Sequence, residues 1–99
     1  MRLPIVWTAP ARAQLAEVYD YVSESNPLAA ENQVELVVNA TRNLAEFPEM
    51  GRPGRLRGTR ELVVSGTPYI VVYRIRLSSV RVLAVMHGAQ RWPRRFTDM

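Results

Sequence analysis

Three short apolar runs, parted by two turn-length breaks, fill Gly58 to Pro93 and leave this chain little choice of fold. Leu62 to Val64, Tyr69 to Ile75 and Val80 to Met86 are rich in Val, Ile, Leu and Tyr, residues that suit a pleated, half-buried surface. Ser65-Gly66-Thr67-Pro68 and Leu77-Ser78-Ser79 have the length and chemistry of hairpin loops. Together they predict a three-stranded antiparallel meander. On strand period two, Tyr69, Val71, Tyr73 and Ile75 share one face of the middle run, and Ile70, Val72, Arg74 and Arg76 share the other. Both faces begin apolar, which predicts a central strand covered on two sides, and one turns cationic towards Arg76. If position 76 faces 80 and 64 faces 69, then 69 faces 87 and Arg60 faces Tyr73.

The rest of the chain must cover that sheet. Arg2 to Trp7 reads as a first strand ending at Thr8, a good helix cap, with Pro10 placed in a helical first turn. From Pro10 to Ser23 the apolar positions Ala11, Leu15, Val18, Tyr19 and Val22 keep helical spacing, so the segment is an amphipathic helix. Asn26-Pro27 opens a second helix that the pattern carries to about Phe47. So short a link makes the two an antiparallel hairpin. Pro48, Gly51, Pro53 and Gly54 then supply a loop, and the tail from 88 to 99 is Arg-rich, without periodicity, and irregular or ordered only by a partner. The predicted fold is α+β in the order β-α-α-β-β-β, a helix hairpin packed on a small antiparallel sheet. At 99 residues it is one domain.

Charge is the unusual feature. All 13 basic residues are Arg, and the first 50 residues carry −4 while the rest carry +8. A GC-rich genome explains the absence of Lys but not the clustering. Arg offers planar, bidentate hydrogen bonding to carboxylate and phosphate, so the second half suits an anionic partner, whether phosphate backbone or acidic protein segment. There is no cysteine, hence no disulfide, thiol nucleophile or thiolate metal site. The residues predict no signal peptide and no membrane span, which needs ~20 apolar residues, so a cytoplasmic domain is expected.

Individual candidates are few. His87, the single histidine, is expected beside Tyr69, a pairing that serves structure as readily as catalysis. Arg74 lies five residues along the strand from that end, over roughly 15 Å away. Arg60 can hold phosphate, pair with a partner's carboxylate, or bond Glu61 and neighbouring backbone. Arg52, Arg55, Arg57, Arg91, Arg94 and Arg95 flank the sheet. Trp92, beside Arg91, belongs to a core or interface, or stacks on a base. No metal spacing, phosphate loop, paired carboxylates or Ser-His-Asp set is present, and no cofactor is implied.

Five segments together carry a resemblance. Asn26-Pro27-Leu28-Ala29-Ala30, Phe47-Pro48-Glu49-Met50-Gly51-Arg52, Gly58-Thr59-Arg60-Glu61-Leu62-Val63-Val64, Pro68-Tyr69-Ile70-Val71-Val72-Tyr73-Arg74 and Val85-Met86-His87-Gly88-Ala89-Gln90-Arg91 come in the same order as in the RelE/ParE superfamily of bacterial toxins, which the chain resembles. The resemblance implies the same fold and a cognate antitoxin, an acidic, partly disordered partner that contacts operator DNA on the pair's behalf. RelE-like members cut messenger RNA on the ribosome, and their strand motif reads Tyr-Arg-Leu-Val-Tyr, with a Lys-Arg pair and a late tyrosine. Here Ile70 replaces that Arg, His87-Gly88 stands in place of the basic pair, and no tyrosine comes after Tyr73. The resemblance therefore favours ParE-like members, which poison DNA gyrase by protein-protein contact, with Arg60, Arg74, Arg76, Arg91, Trp92, Arg94 and Arg95 as target- or antitoxin-binding residues. The alternative it implies is a ribosome-dependent endoribonuclease using His87, Arg60 and Arg91; a third is a degenerate member that only binds its antitoxin.

Overall fold

The computed structural model describes residues 2–96. Strand β1 (Ile5–Trp7) leads into helices α1 (Ala9–Ser23) and α2 (Pro27–Arg42), and four more strands complete the chain: β2 (Arg52–Pro53), β3 (Arg60–Val63), β4 (Tyr69–Arg76) and β5 (Ser79–His87). They form one five-stranded sheet in the order β1-β5-β4-β3-β2 with the helix hairpin on one face. Both predicted caps operate: the Thr8 hydroxyl accepts from the Ala11 amide at 3.4 Å, and the Asn26 side chain from Ala29 at 3.1 Å. Thr8 also donates to the Val82 carbonyl at 2.8 Å, so the residue that starts α1 ties it to β5.

Three expectations need correction. The second helix ends at Arg42 and tightens into a 3₁₀ turn, Asn43–Ala45, rather than running to Phe47; helix ends often tighten this way to re-use orphaned carbonyls. The sheet is mixed, because β1 lies parallel to β5, Ile5 opposite Val80, and it gains β2, a two-residue strand within what reads as a Pro/Gly loop. Successive antiparallel steps point β3 and β5 the same way, and β1 joins that direction; no local pattern records where a helix hairpin returns the chain. Finally, position 76 faces 79, not 80. The β4–β5 loop has two residues, with Leu77 at a φ of 57° and 97% exposed, a backbone state that favours Gly. A bulge then restores the expected pairing: Val72 faces Ala84 and Tyr73 faces Val82, so Tyr69 still meets His87, and Arg60 still meets Tyr73.

Strand β4 is buried from Tyr69 through Tyr73. On the helix side, Tyr69 and Val71 pack with Ala11, Val18, Val37, Val64, Val82 and Val85, and Tyr73 with Leu44 and Val80. On the other side, Ile70, Val72, Ala84 and Met86 are covered by Trp92 and Phe96. From Gly88 to Phe96 the tail has no helix or strand and packs on the chain's own sheet through Trp92 and Phe96; residues 97–99 lie outside the described residues. Burying side chains of this size contributes about 1.5–3 kcal/mol each, which gives the tail reason to fold back without a partner.

The buried Tyr73 also fixes a loop. Its hydroxyl donates to the Pro48 carbonyl at 2.6 Å and accepts from the Gly51 amide at 2.9 Å. A Cβ at Gly51 would come within 2.7 Å of that hydroxyl, so the approach requires glycine. Tyr73→Phe keeps the ring and strands both loop groups, a loss of about 2 kcal/mol. Urea denaturation should show that drop in midpoint with an unchanged slope; an unaltered midpoint contradicts this role for the hydroxyl.

Candidate functional site

The Arg-rich half is organised by one carboxylate. Glu61, on β3, faces away from the helices, opposite Val72, and is 3% exposed. Its Oε1 accepts from Arg52 Nη2 at 3.0 Å, and its Oε2 accepts from the Arg55 amide at 2.7 Å and lies 3.4 Å from Arg55 Nε. Arg55 in turn places its guanidinium over the Trp92 ring, 3.6 Å from the centroid, a cation-π contact. Trp92 meets Phe96 edge-on at 6.2 Å. A chain of contacts therefore runs from a buried acid through Arg55 to the tail. Sequence reasoning missed Glu61, although its position as one of two acids among ten Arg in residues 51–99 was the available signal.

The predicted residues do not converge. Arg60 donates to the carbonyls of Gly51 at 2.6 Å and Glu49 at 3.2 Å, and lies 3.9 Å from the Glu49 carboxylate. It stabilises the same loop that Tyr73 holds, bonding neighbouring backbone but not Glu61. His87 stands where expected, its ring edge-on to Tyr69 at 5.7 Å, with Nδ1 accepting from the Ala89 amide at 3.1 Å. Because Arg60 faces Tyr73 and His87 faces Tyr69, the two are separated by four residues of β4, roughly 13 Å. Arg74 lies opposite Arg81 on the face away from the helices, half-buried, and Arg76 is exposed at the hairpin end. Arg91, Arg94 and Arg95 are exposed along the tail, whereas Trp92 is half-buried as its anchor. The structure thus gathers a basic tail over the outer face of the sheet and leaves His87 and Arg60 apart.

Burial alone would raise the Glu61 carboxyl, but the Arg55 amide, the Arg52 guanidinium and the nearby Arg charges outweigh it and hold the group below its ordinary value of 4.5. A carboxylate with a depressed folded pKa stabilises above its unfolded pKa, and that stability is lost as pH falls through the folded value. Glu61→Gln is therefore expected to cost about 2 kcal/mol near neutral pH, with the gap to wild type closing only below an ordinary value of 4.5. A gap that widens on acidification, measured by denaturation at several pH values, would contradict this account.

Comparison with known proteins agrees with the geometry. Residues 5–92 match the family model described as the ParE toxin of the type II toxin-antitoxin system parDE. The chain is 45% identical over 92 residues to the toxin-named protein Y4kP of Sinorhizobium fredii, covering 93% of this chain and 95% of that protein. It is 36% identical over 86 residues to the toxin RelE2 of Caulobacter vibrioides, covering 87% and 96%. Among solved structures, the chromosomal ParDE system of P. aeruginosa contains a chain that superposes with a TM-score of 0.79 at 26% identity, over 87% of this chain and 96% of that one. A two-helix hairpin on a five-stranded sheet, matched over nearly its whole length in sequence and structure, makes this chain a member of the ParE toxin family of type II toxin-antitoxin systems.

Proposed function

We propose that this toxin poisons DNA gyrase by protein-protein contact and that its Arg-rich tail carries much of the contact. The separation of His87 from Arg60 is the observation that supports a contact toxin over a nuclease. Cutting RNA needs cations around the scissile phosphate and a group that moves the 2′-hydroxyl proton, all at one place. Here Arg60 is committed to loop carbonyls, and His87 sits at the far end of the buried stretch of β4. The exposed guanidinium groups of Arg91, Arg94 and Arg95, carried on a strap that Trp92 anchors, form an interaction surface instead. A cognate antitoxin rich in carboxylates would neutralise the toxin by covering the same cations, Arg74 and Arg76 among its contacts, through charge-assisted, bidentate bonds. In this reading operator DNA is met only through the antitoxin, and the pair acts in the cytoplasm.

The toxin freed of antitoxin should inhibit supercoiling by purified gyrase and trap cleaved DNA. Charge reversal at Arg91, Arg94 and Arg95 together should weaken that inhibition by at least roughly tenfold. Folded wild-type protein without effect on gyrase at micromolar concentration defeats the proposal and moves the activity to ribosome-dependent cleavage of messenger RNA. Inhibition that survives the triple reversal removes the tail from the contact.

A further inference from the structure

The two layers of the fold carry opposite charge. Residues 9–46, the helix layer, hold six acids and two Arg, whereas from Arg52 to Phe96 the single acid is Glu61, already buried between Arg52 and Arg55. The strand register decides where the cations stand. Arg74 faces Arg81 directly across β4 and β5, and Arg76, two residues on, shares their side of the sheet, the side away from the helices. Arg52 stands on that side too, opposite Glu61. Like charges directly opposite one another destabilise a strand pair, so an anion laid over Arg74 and Arg81 relieves the pairing. Both are half-buried, and Arg76 is exposed. Each of the three also has an interaction within the molecule, and a guanidinium with five donors holds that and an anion together. Arg91, Arg94 and Arg95 add their charge, exposed along the strap that Trp92 and Phe96 pack on this same face.

The size of this face decides between anionic partners. From the row of Arg52 and Glu61 to the row of Arg76 is four residues of β4, roughly 13 Å, and from β2 to β5 is three strand spacings, roughly 14 Å. Over about 13 Å of its axis a DNA duplex carries about eight phosphates, roughly half of them on the near side. An acidic strand of that length has about four side chains, two of them facing the sheet. An acidic helix, at about 1.5 Å per residue, turns about three towards it, and only if every one of those positions is acidic. Phosphate matches the density of guanidinium groups best. We propose that this toxin binds duplex DNA directly, with the outer face of its sheet laid against the phosphate backbone. The acidic helix layer on the far side keeps the duplex to the sheet face. Duplex DNA as the source of the phosphates rests on the gyrase reading, since a poison that traps cleaved DNA works beside it. Backbone contacts carry no sequence information, so this binding is separate from recognition of the operator.

The test is fluorescence anisotropy of a labelled, mixed-sequence DNA duplex titrated with the full-length toxin freed of antitoxin, at several salt concentrations. Binding should be saturable with a Kd of about 1–100 μM near physiological salt, and log affinity should fall with log salt at a slope of about −3 to −4. Arg76→Gln combined with Arg81→Gln should weaken binding at least roughly tenfold and make the slope shallower by about 2. Arg2→Gln combined with Arg42→Gln removes the same charge away from this face and should stay within about twofold of wild type. Both double variants should keep the wild-type circular dichroism. Absence of saturable binding, or an equal loss in the two double variants, overturns the proposal. So does a polyglutamate peptide that displaces the toxin at lower concentration than unlabelled duplex, which marks an acidic protein segment as the occupant, and so does tighter binding to duplex RNA. No gyrase is present in this assay. A toxin that binds DNA yet leaves gyrase untouched therefore defeats the gyrase reading alone, and one that inhibits gyrase without binding DNA defeats this proposal alone.

Discussion

The first five residues of β4 are buried on both faces, and the rest of the fold answers to that constraint. A strand with Tyr69, Val71 and Tyr73 on one side and Ile70 and Val72 on the other cannot face water on either. The helix hairpin covers the first side and the tail covers the second. Because the second cover is an irregular strap rather than a helix, it depends on a few large side chains. Trp92 and Phe96 supply the apolar area, and Arg55, held by Glu61, clamps the indole from the flank.

That dependence gives one carboxylate two roles. The charge pairs of Glu61 with Arg52 and Arg55 are screened, since both guanidinium groups are about half exposed, so the stability Glu61 supplies comes chiefly from the hydrogen bonds it accepts while buried. It also acts by position. By fixing Arg55 over Trp92 it helps to hold the segment that carries Arg91, Arg94 and Arg95 against the outer face of the sheet. An antitoxin whose carboxylates compete for Arg52 and Arg55 would act on the same strap.

Most of the fold was legible in the sequence, because the information was local. Period-two alternation in Tyr69–Arg76, the caps at Thr8 and Asn26, and the family resemblance all pointed to the architecture seen. What escaped depends on long-range geometry. The parallel sense of β1 is set by the return of the hairpin, and the two-residue turn at Leu77 carries no Gly to announce it. The candidate site was legible in composition but not in arrangement. Ten Arg in one half announced a basic surface; which of them bind Glu61, which hold the loop carbonyls, and which face solvent is decided only once β2, β3 and the tail are brought together.

The pairing of β1 with β5 also has a kinetic side. Ile5 finds its partner only at Val80, and Thr8 bonds the carbonyl of Val82. Contacts of such sequence separation close late and slow the folding of small domains. During synthesis, which runs from the N-terminus at about 5–20 residues per second, the helix hairpin emerges long before its sheet exists. The apolar stripe of α1 stays uncovered until β5 has left the ribosome. Any chain released before its last strand therefore has neither a completed core nor the tail that the core supports.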